Sequence, residues 1–376
     1  MKISLSSPDI TALEREYVLS VLNTPNLSLG PLVKEFEVEF AKYIGCRHAI
    51  AVNSGTSGLH LSIKALNIRE GDGVITTPFS FVASANCILF ERAHPIFVDV
   101  DPTDYNIDPE KIEDAMRKTR RQELKIKAIL PVHVFGSPCN MERINYLGKR
   151  YELEVIEDAC EAIGAEWKGG RVGTFGKVGV FAFYPNKQIT TGEGGMIVTN
   201  DNSIAELCKS LRNQGRGQNG EWLNHERLGY NYRLSDINCA LGLAQLKRIG
   251  EILRKRSEVA AMYHERLMNI EEVHLPHEQD GIGNRSWFVY VIQLADRCSR
   301  QDRDNILEGL RASGIGCNNY FSPIHLQPFY REMFGFKEGD FPITEHVSER
   351  TIALPFFNNL GEDQINYVVE RLKQLL

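Results

Sequence analysis

Several features common to membrane, secreted and metal-dependent proteins are missing from this chain of 376 residues. No apolar run is long enough to span a bilayer, a distance that takes about 20 residues as a helix. The opening stretch MKISLSSPDITALERE has no apolar core of the signal-peptide kind, which predicts a cytoplasmic protein. Eight cysteines (Cys46, Cys87, Cys139, Cys160, Cys208, Cys239, Cys298 and Cys317) are scattered without a CxxC pair, so reduced, mostly core thiols are expected. The ten histidines show no HExxH spacing, and the HxxH of His274 and His277 contains a proline and reads as loop, so no metal site is predicted. A strong charge is also lacking. The net charge of −6 gives no general reason to expect nucleic acid or an anionic membrane as partner. Any phosphate site must therefore be local, built from backbone amides and a few side chains.

What is present is an ordinary globular composition, 43% hydrophobic and 24% charged. The length suits a large α/β domain with a smaller companion. From about residue 34 to 245, short apolar strands alternate with helical stretches, as in a mostly parallel sheet covered on both faces. HAIAV (48–52), GVITTP (73–78), HPIFVDV (94–100), KAILPVHVF (127–135), LEVIED (153–158), VGVFAFY (178–184) and GMIVTN (195–200) are the predicted strands. SGLHLSIKAL, ASANCILFER and MERINYLGKRY carry apolar residues at helical spacing between them. A long helical stretch from about 237, interrupted near Gly250, leads out of the large domain. The strand WFVYVIQL and a final helix QINYVVERLKQLL follow. These elements predict an N-terminal arm and large domain over 1–250 and a smaller α+β domain over 251–376.

Three segments fall at strand ends, where open α/β sheets place their ligands. In AVNSGTSGLHLSI, the small residues Ser54, Gly55, Thr56 and Ser57 leave the first helical N–H groups free to face an anion. Serine and threonine are equally routine helix caps. In VIEDACEAIGA, Asp158 ends a buried strand, either as a cap or as a carboxylate in need of a cationic partner. In FYPNKQITTGEGGMIVTN, Lys187 lies between an aromatic run and a glycine-rich turn. Such a lysine either snorkels to water or is kept for an amine that can form a Schiff base. A ligand with a phosphate at one end and an aldehyde near the other would use all three segments. Pyridoxal 5′-phosphate has that layout, with an acid on its ring nitrogen and a lysine at its aldehyde. Phe81, in TTPFSFVASAN, is placed either to stack on the ring or to fill the core.

EDACEAIGA, FYPNKQITTGEGGMIVTN and GYNYRLSDINCALGLAQL, in this order, resemble the DegT/DnrJ/EryC1/StrS sugar aminotransferases. The likeness runs nearly end to end, from LSLGPLVKEFEVEFAKYIGCRHAIAVNSGT through YFSPIHLQPFY to the last helix. It implies the α/β architecture of pyridoxal-phosphate transferases of fold type I, as in aspartate aminotransferase. It also implies roles for individual residues. Lys187 matches the Schiff-base lysine, Asp158 the ring-nitrogen acid, and Gly55, Thr56 and Ser57 the phosphate turn. Phe81 occupies the ring-stacking position. Asn231, in GYNYR, matches an asparagine that reaches the phosphate of a neighbouring subunit, implying a homodimer with shared sites. Glu161 falls where many members have His or Gln beside the cofactor; glutamate occurs there in perosamine-synthase-like members. Many members have a serine five residues before the lysine, and here Ala182 stands instead.

The family's usual reaction moves the amino group of glutamate to a nucleotide-linked keto-sugar, in the synthesis of amino sugars and surface glycans. Related sugar dehydrases have histidine at the lysine position, so Lys187 favours amino transfer over dehydration. A non-catalytic regulator that binds the cofactor is the other alternative. Asn186, Arg233 and His325 are the expected substrate contacts, with Arg212 and Arg216 as further candidates for the diphosphate. The wording of EDACE and TTGEGG is most like that of 4-aminotransferases acting on 4-keto-6-deoxyhexoses. Which sugar, which nucleotide, and C3 or C4 amination stay open at this level.

Overall fold

The computed structural model describes residues 1–119, 124–217, 224–277 and 281–376. Its strands in the large part are β1 (His48–Val52), β2 (Asp72–Thr76), β3 (His94–Phe97), β4 (Lys125–Ile129) and β5 (Glu154–Asp158). The short β6 (Glu166–Trp167) and β7 (Gly170–Arg171) follow, then β8 (Val178–Ala182) and β9 (Gly195–Thr199). Seven of these form one sheet in the order β1-β9-β8-β5-β4-β2-β3. Pairings among β2, β3, β4, β5 and β8 are parallel, while β9 runs antiparallel to both β1 and β8. β2 and β9 are buried along their whole length, which explains why they read as unbroken apolar runs rather than alternating ones.

The sheet follows the predicted strands, with one informative shortening. KAILPVHVF leaves the ladder after Ile129, because Pro131 has no N–H to donate. The chain then makes a single bridge from Val132 to Asp158 and a tight 3₁₀ turn at Val134–Gly136. That detour carries Phe135 towards the ends of β5 and β8.

The C-terminal part is built on a three-stranded antiparallel sheet of β10 (Val273–His274), β12 (Tyr290–Leu294) and β13 (Thr351–Leu354). Between the first two in sequence, β11 (Gly283–Asn284) pairs with β6 of the large part. The helices Arg300–Ala312 and Glu362–Leu375 bury their apolar faces on this smaller sheet. The division expected at residue 250 falls in the first turn of the helix Ile249–Leu267. Ile249 and Ile252 of that helix pack in the large core, and Val259, Ala260, Tyr263 and Leu267 in the smaller one. One helix thus belongs to both parts, and the break expected near Gly250 occurs at Arg248. The N-terminal segment also straddles the two: Ile3 bridges to Ile315, while the helix Ala12–Leu22 packs on the helix Asp236–Lys247. Among the described residues, no helix is long and apolar enough to cross a membrane.

Candidate active site

The carboxyl ends of β1, β5 and β8 converge because of the sheet order. Val52 and Ala182, the last residues of β1 and β8, both pair with Gly195 at the start of β9. Past β1, Ser54 caps the helix Gly55–Ala65, its Oγ accepting from the Ser57 N–H at 3.1 Å. Ser57 Oγ donates to Asn53 Oδ1 at 2.7 Å. The cap satisfies only the third helical N–H, so those of Gly55 and Thr56 have no acceptor within the helix and lie at its positive end. Close packing sets the residue types here. A Cβ on Gly55 would come 2.7 Å from Ala182 Cβ and 3.0 Å from Cys160 Sγ. One on Gly195 would stand 2.6 Å from the Ser54 carbonyl oxygen and 2.8 Å from the Gly55 nitrogen.

Asp158 ends β5 at 3% exposure. Its Oδ2 accepts from Ser84 Oγ at 2.7 Å, and its Oδ1 from the Cys160 N–H at 3.1 Å. Ser80 Oγ lies 2.8 Å from Ser84 Oγ, extending the chain of hydroxyls. Asp158 therefore does not cap a helix; it is a buried carboxylate aimed and held by neutral donors. Ser84 N–H donates to the Phe81 carbonyl at 3.2 Å, so the turn that supplies the hydroxyl also presents Phe81. That ring is 62% exposed in the protomer, which removes the core reading of Phe81.

Lys187 follows β8, its amine 3.5 Å from Glu161 Oε1 and 3.9 Å from the ring centroid of Phe288. Its side chain is 13% exposed, so the amine does not reach into bulk water. Glu161 is buried, with its Oε2 accepting the Phe135 N–H at 2.9 Å. Burial raises the Glu161 pKa above the usual carboxylate range, against the opposing pull of Lys187 and the Phe135 amide. Gln188 turns the opposite way and pins the loop, donating to the Glu161 carbonyl at 2.7 Å and to Ser286 Oγ at 3.0 Å. Asn186 hydrogen bonds to Tyr320, and its buried Oδ1 has no partner among the described residues. Cys160 is the common neighbour. It stands near the charges of Asp158, Lys187 and Glu161 and against Gly55.

A lysine, two buried carboxyls and a helix N-terminus, gathered where β1, β5 and β8 end, define the candidate site. Comparison with known proteins then decides the lineage. The model of the DegT/DnrJ/EryC1/StrS aminotransferase family matches residues 8–373. The chain belongs to that aminotransferase family. An uncharacterized protein of Methanocaldococcus jannaschii is 41% identical, covering 98% of this chain and 96% of the relative. GDP-perosamine synthase of Caulobacter vibrioides is 38% identical over 100% of this chain and 98% of its own. Among solved structures, Helicobacter pylori PseC, an aminotransferase involved in the biosynthesis of pseudoaminic acid, superposes with a TM-score of 0.91. Its sequence is 29% identical, and the match covers 100% of this chain and 99% of that one. The fold expected from the sequence, a large mostly parallel sheet with a smaller C-terminal part, is the fold of this aminotransferase.

The remaining expected contacts divide. Asn231 is exposed at the protomer surface, its backbone bridged to Asn213 and its carbonyl accepting from Asn53 Nδ2 at 3.3 Å. Arg233 is half-buried and donates to Asn213 Oδ1 at 3.1 Å. Arg212 is taken up internally, paired with Glu37 and the Ala51 carbonyl, which withdraws it from a diphosphate. Arg216 forms a backbone bridge with His225. His325 is fully buried, 3.0 Å from Glu345 and 4.7 Å ring-to-ring from Phe341. The IHL turn that holds it is tied through the Ile324 N–H to the Pro78 carbonyl, three residues before Phe81. The segment bearing this histidine is thereby fixed to the loop that presents Phe81. Ser84, Gly195 and Phe288 were not singled out from sequence. Ser84 and Phe288 looked like ordinary helix-start and strand residues, and only Gly195, in a GG pair at a strand start, carried a signal of close backbone approach.

Proposed function

We propose that this aminotransferase uses pyridoxal 5′-phosphate to move the amino group of glutamate to a nucleotide-linked keto-sugar. The acceptor class is a 4-keto-6-deoxyhexose, and the product serves amino-sugar or surface-glycan synthesis. The observation that carries the reading is the Lys187 amine, held out of bulk water beside Glu161 at the strand ends, with buried Asp158 on the neighbouring strand.

The residues fit this cofactor. The Gly55 and Thr56 amides, at the positive end of a helix, suit a phosphate. Asp158 suits a protonated ring nitrogen, because a buried carboxylate held only by neutral donors gains from a cation. Phe81 has an exposed ring face for a flat heterocycle. The unpartnered Asn186 Oδ1 offers an acceptor next to Lys187. Bound pyridoxal phosphate supplies the aldehyde carbon that takes and returns the amino group, and a ring that receives the electrons freed when a substrate proton leaves. Asp158 would keep the ring nitrogen protonated, with Ser84 holding that carboxylate in line. Lys187 Nζ would hold the group at its aldehyde and would serve as the base that moves the proton at the substrate carbon. Glu161 Oε1 steadies the Lys187 amine. Asn231 of a second copy closes the phosphate end, in a cytoplasmic homodimer whose sites are shared.

Two lines support the reading. The chain is similar along its whole length to GDP-perosamine synthase, which favours this acceptor class, and Lys187 stands where the dehydrases have histidine, which favours amino transfer over dehydration. The test is direct. The purified protein loaded with pyridoxal phosphate should absorb visible light and lose that band on adding glutamate. Mass spectrometry on a panel of nucleotide-linked keto-hexoses should find nitrogen on the sugar product. A Lys187→Ala chain that turned over the sugar normally, or a product without nitrogen, would overturn the reading.

A further inference from the structure

We infer that Arg256 is a positioning residue of this site: its guanidinium clamps the segment bearing Lys187 to the segment bearing Phe288, and thereby sets where the reactive amine rests. The inference deepens the proposed function, since it rests on Lys187 being that amine.

Arg256 projects from the helix Ile249–Leu267, which belongs to both cores, and is only 3% exposed. Its Nε donates to the Trp287 carbonyl at 2.8 Å, and its Nη1 to Asn358 Oδ1 at 2.7 Å. Nη2 donates to two carbonyls, Phe288 at 3.0 Å and Asn186 at 3.4 Å. The guanidinium also lies 5.2 Å above the ring centroid of Phe356. Three segments of chain, around Asn186, Trp287–Phe288 and Phe356–Asn358, thus meet on one planar group. Two of them are the immediate neighbourhoods of the Lys187–Phe288 contact: Asn186 precedes Lys187, and the Phe288 carbonyl belongs to the ring residue itself.

The electrostatics make the arrangement unusual for a purely structural arginine. All four acceptors are neutral oxygens, although a buried guanidinium is normally paired with a carboxylate. Asp9 is reached only through Asn358, whose Nδ2 donates to Asp9 Oδ2 at 3.2 Å. Burial lowers the Arg256 pKa to about 10, which still leaves it charged at neutral pH. Apolar packing would fill the same space without the desolvation cost. What apolar packing lacks is a rigid fork of donors that fixes several carbonyls relative to one another. Lysine would keep the charge but not the fork, because its three donors radiate from one rotatable atom.

The experiment compares the wild-type chain with Arg256→Lys and Arg256→Met, each first free of cofactor and then loaded with pyridoxal phosphate. Amide hydrogen exchange over residues 184–189 is read in the cofactor-free chains. The pH midpoint of the visible band, kcat, and KM for glutamate are read in the loaded ones. The clamp predicts faster exchange over 184–189 and a displaced pH midpoint in both variants. In Arg256→Lys, kcat should fall roughly tenfold to a hundredfold with KM little changed, as for a misplaced reacting group. Variants with wild-type exchange in that segment and a wild-type midpoint overturn the inference, even if their melting temperatures fall. So does failure of both variants to fold, which would make Arg256 architectural only. A wild-type chain that takes up no pyridoxal phosphate sinks the functional reading instead, while exchange in the cofactor-free chains still decides the clamp.

Discussion

The Lys187 amine rests 3.9 Å from the ring centroid of Phe288, a residue contributed by the chain leading into the smaller sheet. A cation over an aromatic face is attracted by about 0.5–2 kcal/mol, more as water is excluded. Together with Glu161 at 3.5 Å, this contact gives the amine a defined resting place. The site is therefore completed by both parts of the chain, and substitutions in either should be felt at Lys187.

Removing the Lys187 amine or the Asp158 charge should separate chemistry from folding. Lys187→Ala is expected to lower glutamate-dependent turnover by about 10²–10⁴-fold, the range for loss of an acid–base group, with little change in melting temperature. Asp158→Asn keeps the shape and the bond from Ser84 but removes the charge, and should reach a similar loss. Ser84→Ala only frees the carboxylate, costing about 1–1.5 kcal/mol of its orientation, or roughly tenfold in rate. Single-turnover absorbance with glutamate measures all three. A Ser84→Ala loss as large as that of Asp158→Asn would contradict this ordering.

Glu161 should make the cofactor-free protein less stable as pH rises. Burial raises its folded pKa above the ordinary 4.5, so above 4.5 the folded state binds more protons than the unfolded state. Stability then falls with pH until the raised folded pKa is passed. Glu161→Gln removes that slope, and the variant should gain on the wild type as pH increases. Urea denaturation at several pH values reads the difference; a wild type that gains on the variant as pH rises would reverse the assignment.

Gly195→Ala places a methyl against the Ser54 carbonyl and the Gly55 nitrogen, both backbone atoms that cannot swing aside. Overpacking of this kind costs about 1–3 kcal/mol. The displaced element is the start of the helix Gly55–Ala65, proposed to hold the cofactor phosphate, so affinity for pyridoxal phosphate should drop along with stability. Inorganic phosphate protects the site less in such a variant, which thermal shifts with and without phosphate would register.

The N-terminal arm is anchored by a second buried ion cluster. Glu14 is fully buried as a side chain and accepts from Arg248 Nη1 at 2.7 Å, while Thr11 completes a capping box with it. Burial by itself would raise the Glu14 pKa, but the hydrogen bonds from Thr11, Arg248 and Gln245 outweigh it and bring it to about 2. A depressed carboxylate stabilises the fold above its unfolded pKa of 4.5 and loses that contribution as pH falls towards 2. Arg248→Ala leaves Glu14 buried without its cation and should cost about 3 kcal/mol or more at neutral pH. Melting temperatures of Arg248→Ala and wild type should converge in acid; a constant gap would refute the pairing.

Much of this was legible before any tertiary information. Strands buried on both faces are written as apolar runs, and their ends are marked by Gly, Ser, Thr and Asp, because those residues satisfy or free backbone groups at turns. Lys187, Asp158 and the Ser54–Ser57 turn stand out by this punctuation together with the chemistry of their side chains. The pairing of Arg212 with Glu37 and of His325 with Glu345 is not legible there, since a polar residue in a distinctive motif looks the same whether it meets a substrate or a buried partner.

The sequence by itself determined the strand–turn–helix order, the residue types able to perform amino transfer, and their position at strand ends, all properties of short stretches of chain. Tertiary structure alone decided that Gly195 lies against Gly55, that Phe288 lies beneath Lys187, and that Arg256 joins Asn186 to Phe288. Those contacts join residues far apart in the chain, where no periodicity or propensity links them, and they exist only once the sheet order and the helix shared by both cores have brought them together.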